Sequence, residues 1–238
     1  MMKAIGDDIW VVEQDFSMGL VDFGGRMTVL RLSDGSLLLY SVLAIDDELA
    51  SELETLGPVR HIVAPNAFHY LFVEAARERY GAATIYGTDA LAKKRPKLKL
   101  DVRLGDETPA SWGDTVSLLR VAGAPKMDEL VLHHGPSQTL VVCDLVFHIH
   151  EAGWFSRLFF RMLGVFGRVQ QSPLWRFVLT SDREAAEASL QPLWAWPIRR
   201  VIVSHGRIIE GPDAKAQLAS GLTWMCASQT HRKLGAGP

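Results

Sequence analysis

The chain has 238 residues, 48% of them hydrophobic and 22% charged, a balance that excludes wholesale disorder and suffices for a substantial core. With 25 basic and 27 acidic residues the formal charge is −2 at pH 7, so nothing gives an electrostatic footprint for nucleic acid, and no nucleic-acid partner is expected. Two cysteines, Cys143 and Cys226, offer neither a zinc-finger spacing nor a disulfide framework, and Cys143 in the apolar run 140–143 reads as a small buried hydrophobe.

The first third reads as β-rich. Residues 8–12 form a short strand candidate. The runs 27–32 and 37–41 flank Ser33-Asp34-Gly35-Ser36, a hairpin signal because Asp and Gly tolerate turn dihedrals. Helical spacing follows over 46–56, with Leu49, Leu53 and Leu56 on one face. A strand at 59–64 ends at Pro65; 67–80 is expected to be helical and 83–87 to be the next strand. In the second half, strand candidates at 115–121, 129–133 and 139–144 alternate with Gly, Pro and Ser turns. A long helical stretch precedes a strand at 200–206, and a closing helix at 213–223 starts just after Pro212. This order fits a mixed α/β (α+β) chain built as a four-layer αββα sandwich. A doubly wound α/β domain competes, but no Gly-rich phosphate turn of the G-x-G-x-x-G type is present. Residues 1–227 are expected to form one domain and the polar, Gly-rich 228–238 to be a frayed tail. Neither a secretory leader nor a bilayer-spanning stretch of roughly 18 apolar residues is legible, so cytoplasmic residence is the expectation.

Several landmarks recur in a recognisable order. The segment His61-Ile62-Val63-Ala64-Pro65-Asn66-Ala67-Phe68-His69-Tyr70 passes from strand through loop toward helix. Gly123-Ala124-Pro125 follows, then Ser137, Thr139 and Leu140 lead to Asp144 at a strand end, and His205-Gly206 closes a later strand. In this order and spacing the chain resembles the metallo-β-lactamase-fold superfamily, and more narrowly an uncharacterised branch of it, from the N-terminal hairpin to the closing helix. Typical members carry an H-x-H-x-D-H loop and two zinc ions. The resemblance aligns Asp144 with the bridging Asp and His205 with the distal His. His69 falls on the motif's Asp and Tyr70 on its last His, while Pro65 and Ala67 fall on the first two histidines. The later histidine is replaced within 123–125. Proline and alanine cannot ligate a metal, so the resemblance implies loss of the first zinc site.

What it leaves is His69, Asp144 and His205: two imidazoles and a carboxylate, enough for one divalent ion (zinc, iron or manganese) with open positions. Asp144 and His205 are then the expected catalytic residues. An ion-free, hydrogen-bonded polar cluster is the equal alternative. Asn66, Tyr70, Asp128, Glu129, His148 and His150 are candidate cleft-lining residues; His148 and His150, two apart in a strand, face one side. Ser41, Ser137 and Ser204 lack a nucleophile-elbow framework. Over 154–169, Phe155, Leu158, Phe159, Met162, Leu163 and Phe166 follow helical spacing with Arg157, Arg161 and Arg168 on the other side. That stretch has four readings: a cover for the sheet, a homodimer interface, a lid, or a membrane-surface helix. The functional expectation is a divergent hydrolase acting on a small molecule through at most one metal. The alternative is a non-catalytic ligand-binding or protein-interaction module on the same fold.

Overall fold

The computed structural model describes residues 2–226; the tail expected over 228–238 lies outside them. Strands β1 (Lys3–Gly6), β2 (Ile9–Gln14), β5 (Gly25–Arg31), β6 (Leu37–Tyr40), β7 (Val59–Val63), β8 (Thr84–Gly87) and β9 (Val102–Arg103) make one sheet in the order β1-β2-β5-β6-β7-β8-β9. Its first strands are antiparallel, while β6 through β9 run parallel. A second sheet joins β10 (Val116–Arg120), β11 (Leu130–His134), β12 (Thr139–Val141), β13 (Arg200–Ile202) and β14 (Ile209–Glu210) in chain order, with β12 and β13 parallel. A small hairpin, β3 (Ser17–Met18) and β4 (Val21–Asp22), stands apart.

Strand alternation dictates the layers. In β6, Leu37 and Leu39 pack outward beneath helices α1 (Asp47–Leu56), α2 (Val73–Arg79) and α3 (Asp89–Lys94), whereas Leu38 and Tyr40 face the second sheet. Leu130, Leu132, Val141, Cys143 and Ile202 meet them from that sheet. Its other face, with Val131, Leu140 and Val201, is covered by α5 (Arg183–Ser189) and α6 (Ala214–Gly221). Because both faces of the central strand β6 are covered, it is apolar throughout rather than alternating apolar and polar. Tyr40 Oη donates to the Leu130 carbonyl across the inter-sheet space at 2.7 Å. The expected four-layer sandwich is the observed fold.

Two expected helices are shorter than their spacing suggests. Of 67–80 only Val73–Arg79 is helical. Asn66 Oδ1 accepts from the Phe68 and His69 amides at 2.8 and 3.0 Å, and Ala67 donates to the Met127 carbonyl; these bonds hold 66–72 as a loop and compete with helix formation. Likewise 154–169 is helical only as α4 (Trp154–Met162). Gly164 and Gly167 take φ of +67° and +81°, ending the helix, and Phe166 then bridges to Ile149. Nor does the apolar face of α4 point inward: Ser156 and Phe160 are its buried residues, while Trp154, Phe155, Leu158 and Met162 are exposed.

Candidate metal centre

In both sheets the chain leaves the carboxyl ends of parallel strands at the same edge of the sandwich, where α/β folds generally place their ligands. Ser41 follows β6, the 64–72 loop follows β7, Asp144 follows β12 and His205 follows β13. Residues remote in sequence therefore meet there. His69 Nε2 lies 3.4 Å from Asp144 Oδ2, His205 Nε2 lies 3.5 Å from Asp144 Oδ1, and the two Nε2 atoms are 3.3 Å apart. Among the described residues, this trio is the group of histidine and carboxylate side chains arranged to hold a metal ion.

Each side chain is fixed from behind. The Gly24 carbonyl, which can only accept, takes the His205 Nδ1 proton at 2.8 Å; in the neutral imidazole the lone pair then sits on Nε2. Ser41 Oγ stands 2.8 Å from His69 Nδ1 and holds that ring in place. Phe147 stacks on the His205 ring, 5.4 Å between centroids, and Phe23 meets it edge-on at 5.9 Å. Asn66 Nδ2 donates to Asp144 Oδ2 at 2.9 Å while its own Oδ1 organises the loop that carries His69. Buried Arg26 donates to the carbonyls of Val203 and Gly206 and pairs with Glu13, bracing the turn on which His205 sits.

Burial alone would raise the Asp144 carboxyl, but the imidazoles of His69 and His205 beside it outweigh that and hold it well below the usual carboxylate range. Both Nε2 atoms and the Asp144 carboxylate oxygens converge on one point. With zinc–nitrogen bonds of about 2.0–2.1 Å, tetrahedral ligands lie roughly 3.3–3.4 Å apart, which is the spacing found here. The donor set fits one divalent ion. The segments aligned with the lost first site contribute none: Pro65 accepts through its carbonyl from Leu130, Ala67 is buried, and Gly123 uses its carbonyl on Ser181 and Asp182.

Among the cleft candidates, Asn66 touches the trio directly. Tyr70 lines a small cavity of about 50 Å³ that also borders His69, His205, Phe16, Val42 and Leu43. Asp128 and Glu129, also candidate cleft-lining residues, stand outside the trio. Asp128 is buried, pairs with Arg120 and accepts from the Ala90 amide. Glu129 is wholly buried, and its carboxylate accepts from the amides of Cys143, Asp144 and Leu145 at 2.9–3.0 Å. Burial, and after it the Asp144 charge, push Glu129 upward. It is the clamp under Asp144. The rings of His148 and His150 meet at 4.5 Å, as their spacing suggests, but outside the trio: His148 Nδ1 donates to the Arg207 carbonyl, and His150 borders a wider concavity of about 1010 Å³. Sequence reasoning missed Ser41, the Gly24 carbonyl and the two phenylalanines. Ser41 has φ of +58°, a backbone state that no sequence signal announces for serine.

Comparison with known proteins agrees with this fold. Among solved structures the fold is similar to a metallo-β-lactamase from Pontibacter korlensis, with a TM-score of 0.66 and 16% identity over 94% of this chain and 98% of that one. It is also similar to the Pseudomonas aeruginosa metallo-β-lactamase FIM-1 in its mono-zinc form, at a TM-score of 0.61 and 13% identity over 100% of this chain and 96% of that one. A metallo-β-lactamase from Erythrobacter litoralis matches at a TM-score of 0.65 and 14% identity over 92% of this chain and 94% of that one. No curated protein matches in sequence. At these identities the likeness shows the fold. A family model described as a domain of unknown function matches residues 6–154, more than half of the chain and including His69 and Asp144. The chain therefore belongs to the family Domain of unknown function (DUF4336), carried on a metallo-β-lactamase fold.

Proposed function

We propose that the protein is a divergent metal-assisted hydrolase in which His69, Asp144 and His205 hold a single divalent ion. The observation that carries this reading is the convergence of both Nε2 atoms on Asp144 at tetrahedral-ligand spacing, with each Nδ1 already engaged behind. An ion held there supplies Lewis acidity, polarising a carbonyl or phosphoryl oxygen and acidifying water. The rest is work for the chain's own residues. Asn66 Nδ2 donates to Asp144 Oδ2 and so fixes the orientation of the carboxylate. The Gly24 carbonyl sets the His205 tautomer, and Ser41 Oγ anchors the His69 ring. Phe147 and Phe23 shield His205 from water. The adjoining cavity of about 50 Å³ suits a reacting group with a small apolar neighbour. It is too small for a whole substrate, so the remainder would lie toward the solvent.

The test is metal content by mass spectrometry on tag-free protein, with His205→Ala and Asp144→Asn alongside, followed by an esterase and phosphodiesterase screen of the loaded protein. About one equivalent per chain, lost in both variants while they remain folded, supports the site. No binding after incubation with zinc, iron or manganese overturns it, and two equivalents would overturn the single-ion assignment.

A further inference from the structure

Helix α4 presents its apolar side to solvent. At about 100° per residue, Trp154, Phe155, Leu158 and Met162 fall on one outer face, opposite buried Ser156 and Phe160. Trp154 and Met162 are 79% and 80% exposed, far beyond what an isolated surface apolar residue requires. The patch does not end with the helix. The Asp22 amide donates to Ser156 Oγ at 2.9 Å, and Val21 packs with Phe160. This fastens the β3–β4 hairpin beside α4, and the hairpin adds Met18 and Leu20, 60% and 79% exposed. Both pieces are anchored from beneath by Phe23, Phe159 and Phe160, so the exposed side chains are held outward by a packed apolar base.

Charge says what this face fits. On the helix side, from 152 to 181, the chain has four arginines and no acid, whereas the hairpin segment 15–22 carries Asp15 and Asp22 and no base, so the cationic border belongs to α4. Arg157 and Arg161 lie on α4 at the border of the apolar face, and both are exposed. An anionic lipid surface would meet them with headgroups while taking the Trp, Leu and Met side chains into the interface. We propose that α4 and the β3–β4 hairpin form a peripheral docking surface for anionic membranes. The proposal is independent of whether a metal occupies the centre. Among the described residues no helix is long and apolar enough to cross a membrane, so the contact is interfacial.

Flotation of the full chain with vesicles of mixed phosphatidylcholine and phosphatidylserine, against phosphatidylcholine alone, tests it. Binding is expected to the mixed vesicles, weakening with salt. Leu158→Ser/Met162→Ser removes two solvent-facing side chains without touching the core and should weaken binding at least roughly tenfold. Arg157→Gln/Arg161→Gln should weaken it about fivefold per arginine. Equal binding to both vesicle types, or binding indifferent to the serine pair, overturns the proposal. So does a vesicle-independent dimer in light scattering that the serine pair dissolves, because the face would then belong to a second copy. Absence of any vesicle binding by the folded wild type overturns it as well.

Discussion

Glu129 offers a stringent test of how the centre is built. Its carboxylate is the acceptor for three consecutive buried amides, those of Cys143, Asp144 and Leu145. Glu129→Ala leaves all three without a partner. An orphaned buried amide costs about 1–3 kcal/mol, so the substitution should remove about 3–9 kcal/mol, a large part of the ~5–15 kcal/mol of a typical domain. Glu129→Gln discriminates the cause. The Gln carbonyl can still accept from Cys143 and Leu145, the two amides now on one oxygen, while its amino group faces the Asp144 N–H. One orphan should cost about 1–3 kcal/mol. The assay is urea unfolding of wild type and both variants at pH 7, accepting the comparison only where the m-values agree. An Ala variant within about 1 kcal/mol of wild type would refute the clamp. A Gln variant as unstable as the Ala variant would mean that a single amide oxygen cannot hold the Cys143 and Leu145 amides together.

Three further outcomes are expected. Ser41→Ala removes the group behind His69 Nδ1 and should lower metal affinity about 10–100-fold with little change in Tm; unchanged affinity in a chelator competition would remove Ser41 from the centre. Gly206 has φ of +99°, and a Cβ there would lie 2.2 Å from the His148 carbonyl oxygen, so Gly206→Ala should cost about 3 kcal/mol or more. Gly19, at φ +62° with open space around it, should lose only about 1–2 kcal/mol as Ala, and equal losses in the two variants would show that the clash is relieved. Burial lowers the His133 imidazole despite its bond to the Pro197 carbonyl, and His61, His134 and His148 shift the same way. With folded values below the ordinary value of about 6.5, the unfolded chain binds more protons across that window. Stability is therefore full above about pH 6.5 and falls as the pH drops through the folded values. His133→Phe keeps the stack on Trp196, 4.9 Å between centroids, and should flatten the fall in Tm between about pH 7 and 5; an unchanged slope would refute the assignment.

The apolar strands, their turns and their order were legible in sequence because each reports a local cause. Leu37 to Tyr40 is apolar on both faces, as a strand enclosed between two layers must be, and Asp34-Gly35 turns the chain ahead of it. Asp144 and His205 stood out as polar residues closing apolar strands, and His69 as the surviving histidine of a loop that had lost its neighbours. Tertiary structure decided the rest. Helical spacing over 67–80 and 154–169 gave way where Asn66 captured two amides and where Gly164 and Gly167 took positive φ. Glu129 read only as a cleft-lining candidate because sequence carries no sign of the three amides that a distant strand end delivers to it. The apolar stripe of α4 was visible, but its direction was not: periodicity gives the relative placement of side chains around a helix axis, and only the packing of Phe160 and Ser156 beneath it fixes which side meets the protein and which is left to solvent.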